Sequence, residues 1–516
     1  MKNSLTRRGW LAQVAGGAAL AQAPAFVRSD RPDVPQAVMA GDVIPGAAML
    51  WSRASEPSRM LVSWKTTVNG AAQSMVGPHC IDATDYTGRV GLTGLPANQT
   101  IHYEVRFQSL RNDRALSAPL AGSFRTPPAV RRNTRLLWTA DQVGQGWGIN
   151  RDFGGFTIYD AMAQRSPDLF LHSGDVIYAD NPLVPEVRLP DGSIWRNLVT
   201  EAKSKVAETL DEFRGQFRYN LIDEKLRSFC ANVGQVWQWD DHEVMNNWSP
   251  GRSVMDDARY REKNVPLMVA RAARAFQEYA PLRPNASDSE RVYRRIPYGP
   301  LLDVFVLDMR SYRGPNTWNR QEQEGPDTVY MGHPQLDWLR RGLRESRALW
   351  KVIAADMPLG LRVEDGRDAE GRLRWENSSN GDGPPLGREL EIAGLLRGIK
   401  QDGVHNTVWL TADVHYTAAH YYDPRKAQFT DFLPFWEFVS GPMHAGTFGP
   451  GTLDNTFGPQ AVFQKAPPPG QSGLSPAAGY QFFGEVEIAA NTGELTVTLR
   501  DIKGTSLHRQ VLPPHS

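Results

Sequence analysis

The sequence predicts a mixed α/β protein in two parts, a small antiparallel β-sandwich followed by a larger α/β unit. Three observations carry this expectation. The chain has 516 residues, more than the roughly 250 to 300 at which a single hydrophobic core stops growing. Short β-rich runs separated by turn residues fill residues 36–126. Beyond them come longer apolar runs with helical stretches between some of them, and six of these runs reach an aspartate at or just past the carboxyl end.

The chain opens on MKNSLTRRGWLAQVAGGAALAQAPAF, in which Arg7 and Arg8 precede a stretch of small apolar residues with small-x-small cleavage patterns from Ala19 to Ala25. This is the pattern of a twin-arginine export signal over residues 1–30. It implies recognition by the twin-arginine export machinery and a periplasmic or secreted destination. No other run approaches the roughly 18 apolar residues of a membrane span.

Residues 36–128 hold the runs AMLWSR, MLVSWKTTV, IHYEVRF and GSFRTPP, whose alternation and turn spacing suit a sandwich of fibronectin type III shape. TPPAVRRN, 126–133, reads as a proline-bearing linker. The larger unit, 132–516, is expected to build one largely buried mixed sheet from RLLWTAD, DLFLHSGD, QVWQWDD, LLDVFVLD, WKVIAAD and TVWLTAD. GGFTIYDAMAQ supplies a helix between the first two strands. Amphipathic stretches at about 196–230 and 256–281 predict a helical insertion that roofs part of the unit, and 440–475 predicts an irregular glycine- and proline-rich tail.

Lys plus Arg equals Asp plus Glu, 57 each, so no global basic field draws nucleic acid or an anionic membrane, and the partner expected is a small molecule. The two cysteines, Cys80 and Cys230, exclude a disulfide scaffold or a thiolate metal cluster and are expected as buried free thiols.

The chemistry lies in the aspartates: Asp141, Asp175, the pair Asp240 and Asp241, Asp308, Asp356 and Asp413. Ligands of open α/β sheets bind outside the carboxyl ends of the strands, so these side chains can converge. Gathered carboxylates repel unless cations neutralise them. With His242 in WDDHE and His415 in TADVH, they predict a polynuclear metal site of hard, oxygen-rich ligation. The loop GQGWG after Asp141 lacks the Lys-Ser/Thr pair of a phosphate-binding P-loop. Its glycines are expected to let the backbone approach substrate or metal closely. His405, His420 and His444 have no such frame and are expected to be structural or peripheral.

The ordered series WTADQ, HSGDVIYAD, WDDHEVMNNW, VLDMRSYR, WKVIAADMP, LTADVHY and FWEFVSGP, with VMAGDVIPGAAMLWSRA before it, resembles the alkaline phosphatase D (PhoD-like) metallophosphatase family. The resemblance implies a calcineurin-like phosphoesterase fold, an α/β/β/α sandwich, and metal-assisted hydrolysis of phosphate monoesters or diesters outside the cytoplasm. It implies Ca2+ together with Fe3+ as cofactors. Carried over by motif, it implies Asp141 as the first ligand, Asp175 as the bridging ligand and Tyr178 as a phenolate ligand. Asp241 and Asn246 serve the second metal, and Asp413 with His415 completes the set. Two positions depart from the family pattern. Asp141 replaces a cysteine ligand, a hard carboxylate for a soft thiolate, which leaves Mn2+ or Zn2+ open beside calcium and iron. Asp356 stands where broader metallophosphatases place a histidine ligand, and is a candidate on that ground.

The expected catalytic residues are His242 and Arg310. His242 either protonates the leaving oxygen or orients a neighbouring aspartate, and Arg310 either clamps a phosphate oxygen or pairs with Asp308. Two alternatives stand beside the phosphatase reading. A phospholipase D-like diesterase would take phospholipid through a channel lined by Phe435, Trp436 and Phe448, although ordinary loop packing explains those rings as well. A non-catalytic calcium-stabilised binding protein would not need the two histidines.

Overall fold

The computed structural model describes residues 31–33, 36–66 and 70–515. The expected export signal over 1–30 lies outside the described residues.

Seven strands come first: β1 (Val38–Ile44), β2 (Ala47–Arg53), β3 (Ser58–Lys65), β4 (Gln73–Cys80), β5 (Thr87–Thr93), β6 (Thr100–Ser109) and β7 (Leu120–Arg125). Next are β8 (Thr134–Thr139), helix α1 (Ile158–Gln164) and β9 (Leu169–Ser173), then α2 (Leu210–Asn220), α3 (Glu224–Asn232), β10 (Gly234–Gln238) and α4 (Val265–Tyr279). The chain continues through β11 (Arg294–Pro297), β12 (Leu302–Val306), α5 (His333–Glu345), β13 (Trp350–Ala354), α6 (Glu389–Gln401), β14 (Thr407–Thr411), β15 (Thr417–Tyr422), β16 (Phe435–Val439) and β17 (Pro459–Lys465). It ends in β18 (Phe482–Ile488), β19 (Leu495–Asp501) and β20 (Ser506–Leu512).

The six expected strands all form, but in two sheets. A nine-stranded sheet runs β20-β19-β18-β8-β9-β10-β1-β2-β5, and a seven-stranded sheet runs β11-β12-β13-β14-β16-β15-β17. The side-chain period of two divides the apolar residues between layers. Leu136, Leu169, Leu171 and Val236 point from the first sheet, and Val304, Val352 and Leu410 from the second, into one shared core. Their alternates Leu137, Phe170 and Trp237 pack outward under α1 to α4. Phe305, Ile353 and Trp409 pack outward under α5 and α6. The result is an α/β/β/α sandwich. Trp138 ties its halves together by donating from Nε1 to the Thr411 carbonyl at 3.2 Å.

The N-terminal segment folds as a β-sandwich whose layers have different fates. β4-β3-β6-β7 is a sheet of its own. The opposite layer, β1-β2-β5, continues the nine-stranded sheet, because β1 pairs in parallel with β10 at Gly41 and Gln235. β1 and β2 are accordingly buried along nearly their whole length, whereas β3 alternates buried and half-buried positions. The helical insertion packs Phe213, Phe217, Phe276 and Tyr279 outside the large sheet. α2 is closed by a reciprocal cap between Thr209 and Glu212, which satisfies backbone donors that a helix start leaves open. The tail contains β17, a strand the composition hid. Cys80 and Cys230 are separate, buried and free.

Candidate metal centre

The carboxyl ends of both sets of parallel strands meet at one edge of the sandwich. Asp141 follows β8, Asp175 follows β9, and Asp240 and Asp241 follow β10. From the facing sheet, Asp356 follows β13, and Asp413 and His415 follow β14. Three groups have ligand atoms within 4.8 Å of one another: Asp141, Asp175 and His415; Asp175, Asp241 and His242; and Asp240, Asp241 and Asp413.

The backbone is strained where these side chains leave their strands. Asp141, Asp175, Asp413 and His415 have φ of 67°, 50°, 66° and 58°. This left-handed region is costly for residues other than glycine, and strain of this kind gathers at functional sites. Glycines make room beside two of the groups. A Cβ on Gly441 would stand 2.1 Å from Asp141 Oδ2, and one on Gly144 would stand 2.6 Å from the Tyr178 ring. Gly144, in the glycine loop after Asp141, thus admits a tyrosine ring rather than a substrate.

Asp141 is fully buried, and neither of its carboxylate oxygens has a hydrogen-bond partner. Asp240 Oδ2 and Asp241 Oδ1 are also buried and unpartnered. Unsatisfied buried polar atoms are rare and need an explanation. Burial first, and neighbouring carboxylates after it, push the pKa values of Asp141, Asp175 and Asp413 well above the usual carboxylate range. A cation reverses that balance by favouring the charged form. The donor set therefore fits metal.

His415 turns its Nε2 toward the first of these groups. Its Nδ1 faces the Gly446 carbonyl, while Nε2 lies 3.7 Å from Asp141 Oδ1 and 2.8 Å from the Tyr178 hydroxyl. Burial depresses its pKa to about 4, which keeps the ring neutral, as coordination requires. Burial and then Asp175 and Asp141 push the Tyr178 phenol well above its ordinary value. Without positive charge beside it, Tyr178 is a phenol and not a phenolate.

His242 is held from behind. Its Nδ1 contacts Asp180 Oδ1 at 2.6 Å, and its Nε2 lies 3.9 Å from Asp241 Oδ2. Burial opposes protonation of this ring, but Asp180, Asp241 and Asp175 outweigh it and raise its pKa well above the usual value. Asp180 also accepts from the Asn246 amide at 3.0 Å. Burial would raise its own pKa, but His242 and these bonds bring it down to about 2. Asp180 was not among the expected residues, though it ends the motif HSGDVIYAD five positions after Asp175. Buried Lys203 adds support by donating from Nζ to the Tyr178 carbonyl at 2.9 Å.

Arg310 does not pair with Asp308. Asp308 accepts from the Arg310 backbone amide and from Trp239 Nε1, each at 3.1 Å. The fully buried Arg310 guanidinium instead reaches Asp240 at 2.5 Å, Glu376 at 2.6 Å, Asp356 at 3.1 Å and Asp413 at 3.4 Å. Asp356 is outside the three ligand groups, with one oxygen on Arg310 and the other accepting from Gln238 at 3.3 Å. Asn246 reaches the cleft wall, where its side-chain amide donates to Asn247 at 2.8 Å.

Above the groups opens a cleft of about 450 Å³, with Asp175, Asp241, His242, Asp413 and His415 on its floor and Arg362 and Phe448 on its walls. Phe448 is partly exposed and packs on the His415 ring at 5.1 Å. Phe435 belongs to β16, where it stacks on Tyr422 inside the core, and Trp436 stacks on Phe438 of the same strand. Neither Phe435 nor Trp436 lines the cleft.

Fold and site together define a protein of the α/β/β/α class whose strand-end donors could hold more than one cation. The family model described as PhoD-like phosphatase matches residues 136–499, and that of the PhoD-like phosphatase N-terminal domain matches residues 19–128. The chain belongs to the PhoD-like phosphatase family. It is 28% identical over 400 residues to alkaline phosphatase D of Bacillus subtilis (strain 168), a match that covers 73% of this chain and 64% of that relative. Its fold is similar to that of a solved PhoD structure, with a TM-score of 0.66 and 20% identity over 93% of this chain and 88% of the other. It is also similar to purple acid phosphatase PPD1 from yellow lupin (Lupinus luteus) seeds, with a TM-score of 0.55 and 12% identity over 94% and 74% of the two chains.

Proposed function

We propose that the chain is an exported metal-dependent phosphoesterase that hydrolyses small-molecule phosphate monoesters or diesters. The observation that carries this reading is Asp141, a buried carboxylate with both oxygens unpartnered beside Asp175 and His415. Asp141, Asp175, Tyr178 and His415 would hold one cation, and Asp241, Asp413 and Asn246 a second, with Asp175 between them. Bound cations would supply positive charge that polarises the ester and lowers the pKa of an attacking water. The hard oxygen donors suit Ca2+, Mn2+ or Fe3+, and the imidazole also admits Zn2+.

His242 has the geometry of a proton donor to the leaving oxygen. Asp180 fixes the ring and keeps it protonated, and its Nε2 side faces the cleft floor. Arg310 is surrounded by five carboxylates, the four above and Asp241 at 3.7 Å, so its role is to position the floor rather than to clamp phosphate. Export rests on the Arg7-Arg8 pattern.

The test is elemental analysis of the protein isolated from an exporting host, with hydrolysis assays on a monoester, a diester and a phospholipid. Bound metal and turnover are expected in the wild type, and Asp141→Asn is expected to lose turnover together with the cation that Asp141 and His415 would hold. A variant that retains its metal and full activity would overturn the reading.

A further inference from the structure

Arg362, on the short strand Leu361–Arg362, lines one wall of the cleft. Its Nε is buried without a hydrogen-bond partner, and its Nη2 makes a marginal bond of 3.4 Å to the Leu453 carbonyl. Arg320 approaches the same place from another loop. A Cβ built on Gly381 would lie 3.3 Å from Arg320 Nη1 and 4.0 Å from Arg362 Nη1, so two guanidinium groups border one small volume. Neither forms an ion pair among the described residues. Two carboxylates belong to the same loops, Asp454, which accepts from the amides of Gly381 and Thr456, and Asp382, which accepts from that of Asn455, and neither pairs with Arg320 or Arg362. Glu376, also in the cleft, is bound by Arg310.

We propose that Arg362 and Arg320 form an anion subsite on the cleft wall, and that the preferred ester carries a second anionic group, phosphate or carboxylate, away from the scissile phosphate. Neither guanidinium has an ion-pair partner among the described residues, and an anion between them would satisfy the donors that Arg362 leaves unpartnered. The forked guanidinium donors match the oxygen edge of phosphate or carboxylate. Besides Glu376, the other charged groups lining the cleft are Glu364, on the same wall, and the carboxylates and histidines of the candidate metal centre, whose cations would engage the scissile phosphate. This inference rests on the phosphoesterase reading and specifies its substrate class.

The experiment compares 1,3-propanediol bisphosphate with 1,3-propanediol monophosphate on the metal-loaded wild type, Arg362→Ala and Arg320→Ala, with phosphate release as the readout. The wild type is expected to favour the bisphosphate in kcat/KM. In Arg362→Ala the ratio of bisphosphate to monophosphate kcat/KM is expected to fall by about tenfold or more, the scale of a lost charge-assisted contact, chiefly through KM for the bisphosphate. A smaller fall is expected in Arg320→Ala, whose side chain is more exposed. Hydrolysis of both compounds without preference, or a ratio unchanged in both variants, overturns the subsite alone. Hydrolysis of neither by the metal-loaded wild type overturns the subsite, and the phosphoesterase reading falls with it when bis(p-nitrophenyl) phosphate, a diester, is not hydrolysed either.

Discussion

Asp141, Asp175 and Asp413 leave their strands at positive φ, a region that asparagine tolerates nearly as well as aspartate. Asp→Asn at these positions therefore removes charge while keeping the backbone, which makes it the clean substitution. Asp175 belongs to two of the three ligand groups and Asp241 to a different pair of them. Asp175→Asn is expected to lose all bound metal and turnover. Asp241→Asn is expected to keep the cation held by Asp141 and His415, so metal stoichiometry by elemental analysis separates the two. Equal stoichiometry in both variants would remove Asp175 from the bridging position. His242 makes a second prediction. His242→Ala is expected to slow alkyl phosphate esters by about a hundredfold and nitrophenyl esters far less, because nitrophenolate leaves without a proton. Asp180→Asn, which releases the ring at Nδ1, is expected to act in the same direction with a smaller effect, and equal losses on both ester types would argue against proton donation. The strand-end aspartates were legible because each closes an apolar run. Asp180 and Glu376 were not, since each lies in a loop whose partner, His242 or Arg310, is more than 60 residues away.

At the scale of elements, period-two alternation located every strand that ends in a candidate ligand but not the sheet each one joins. Val304 and Phe305 differ only in the face they present, and a single sequence records that a run is buried on both faces without recording what lies across from it. β1 shows the same limit: its nearly complete burial follows from joining β10 through one register contact across nearly 200 residues. The irregular stretch 440–475 read correctly where glycine and proline dominate. It misread β17, which is an exposed edge strand with little apolar signal. The N-terminal segment is also tied to the helices by Asp85, which pairs with Arg53 at 2.7 Å and Arg218 of α2 at 2.8 Å and accepts from Tyr279 of α4. Removing one partner of such a buried network leaves the other charges unpaired, so Asp85→Ala is expected to cost about 3 kcal/mol in a denaturation experiment. Burial would raise the pKa of Asp85, but its bonds to Arg53 and Tyr279 hold it below the usual value. Its stabilising contribution is therefore present above the unfolded carboxylate pKa and is lost as pH falls through the depressed folded value. In the Asp85→Ala variant this acid-dependent part of stability should be absent.

The whole molecule stacks two sheets so that carboxylates from both meet at one buried edge, and the same charges that would hold metal would oppose folding without it. Asp141, Asp175, Asp240 and Asp413 are all pushed well above their usual pKa values by burial first, and burial pushes Glu243 beneath them up to about 7. A carboxylate with a raised folded pKa favours the folded state when protonated, and that stability is lost as pH rises through the folded value. For Glu243 this loss runs from the unfolded carboxylate range up to about pH 7. The metal-stripped protein is therefore expected to melt at a lower temperature at pH 8 than at pH 6. Cations that bound only the folded state would reverse the trend, with about 2.7 kcal/mol gained when free metal stands at a hundred times its Kd. Thermal unfolding with and without chelator at the two pH values checks this, and Asp141→Asn provides the control, since it removes one of the opposing charges. The stripped variant should lose less stability between pH 6 and pH 8 than the stripped wild type, and it should gain less from added cation. A wild type whose melting temperature is the same with chelator as with saturating Ca2+, Mn2+, Zn2+ and Fe3+ in turn would mean that the buried carboxylates are neutralised by protons alone, and the convergence of the two sheets would then need an explanation other than metal.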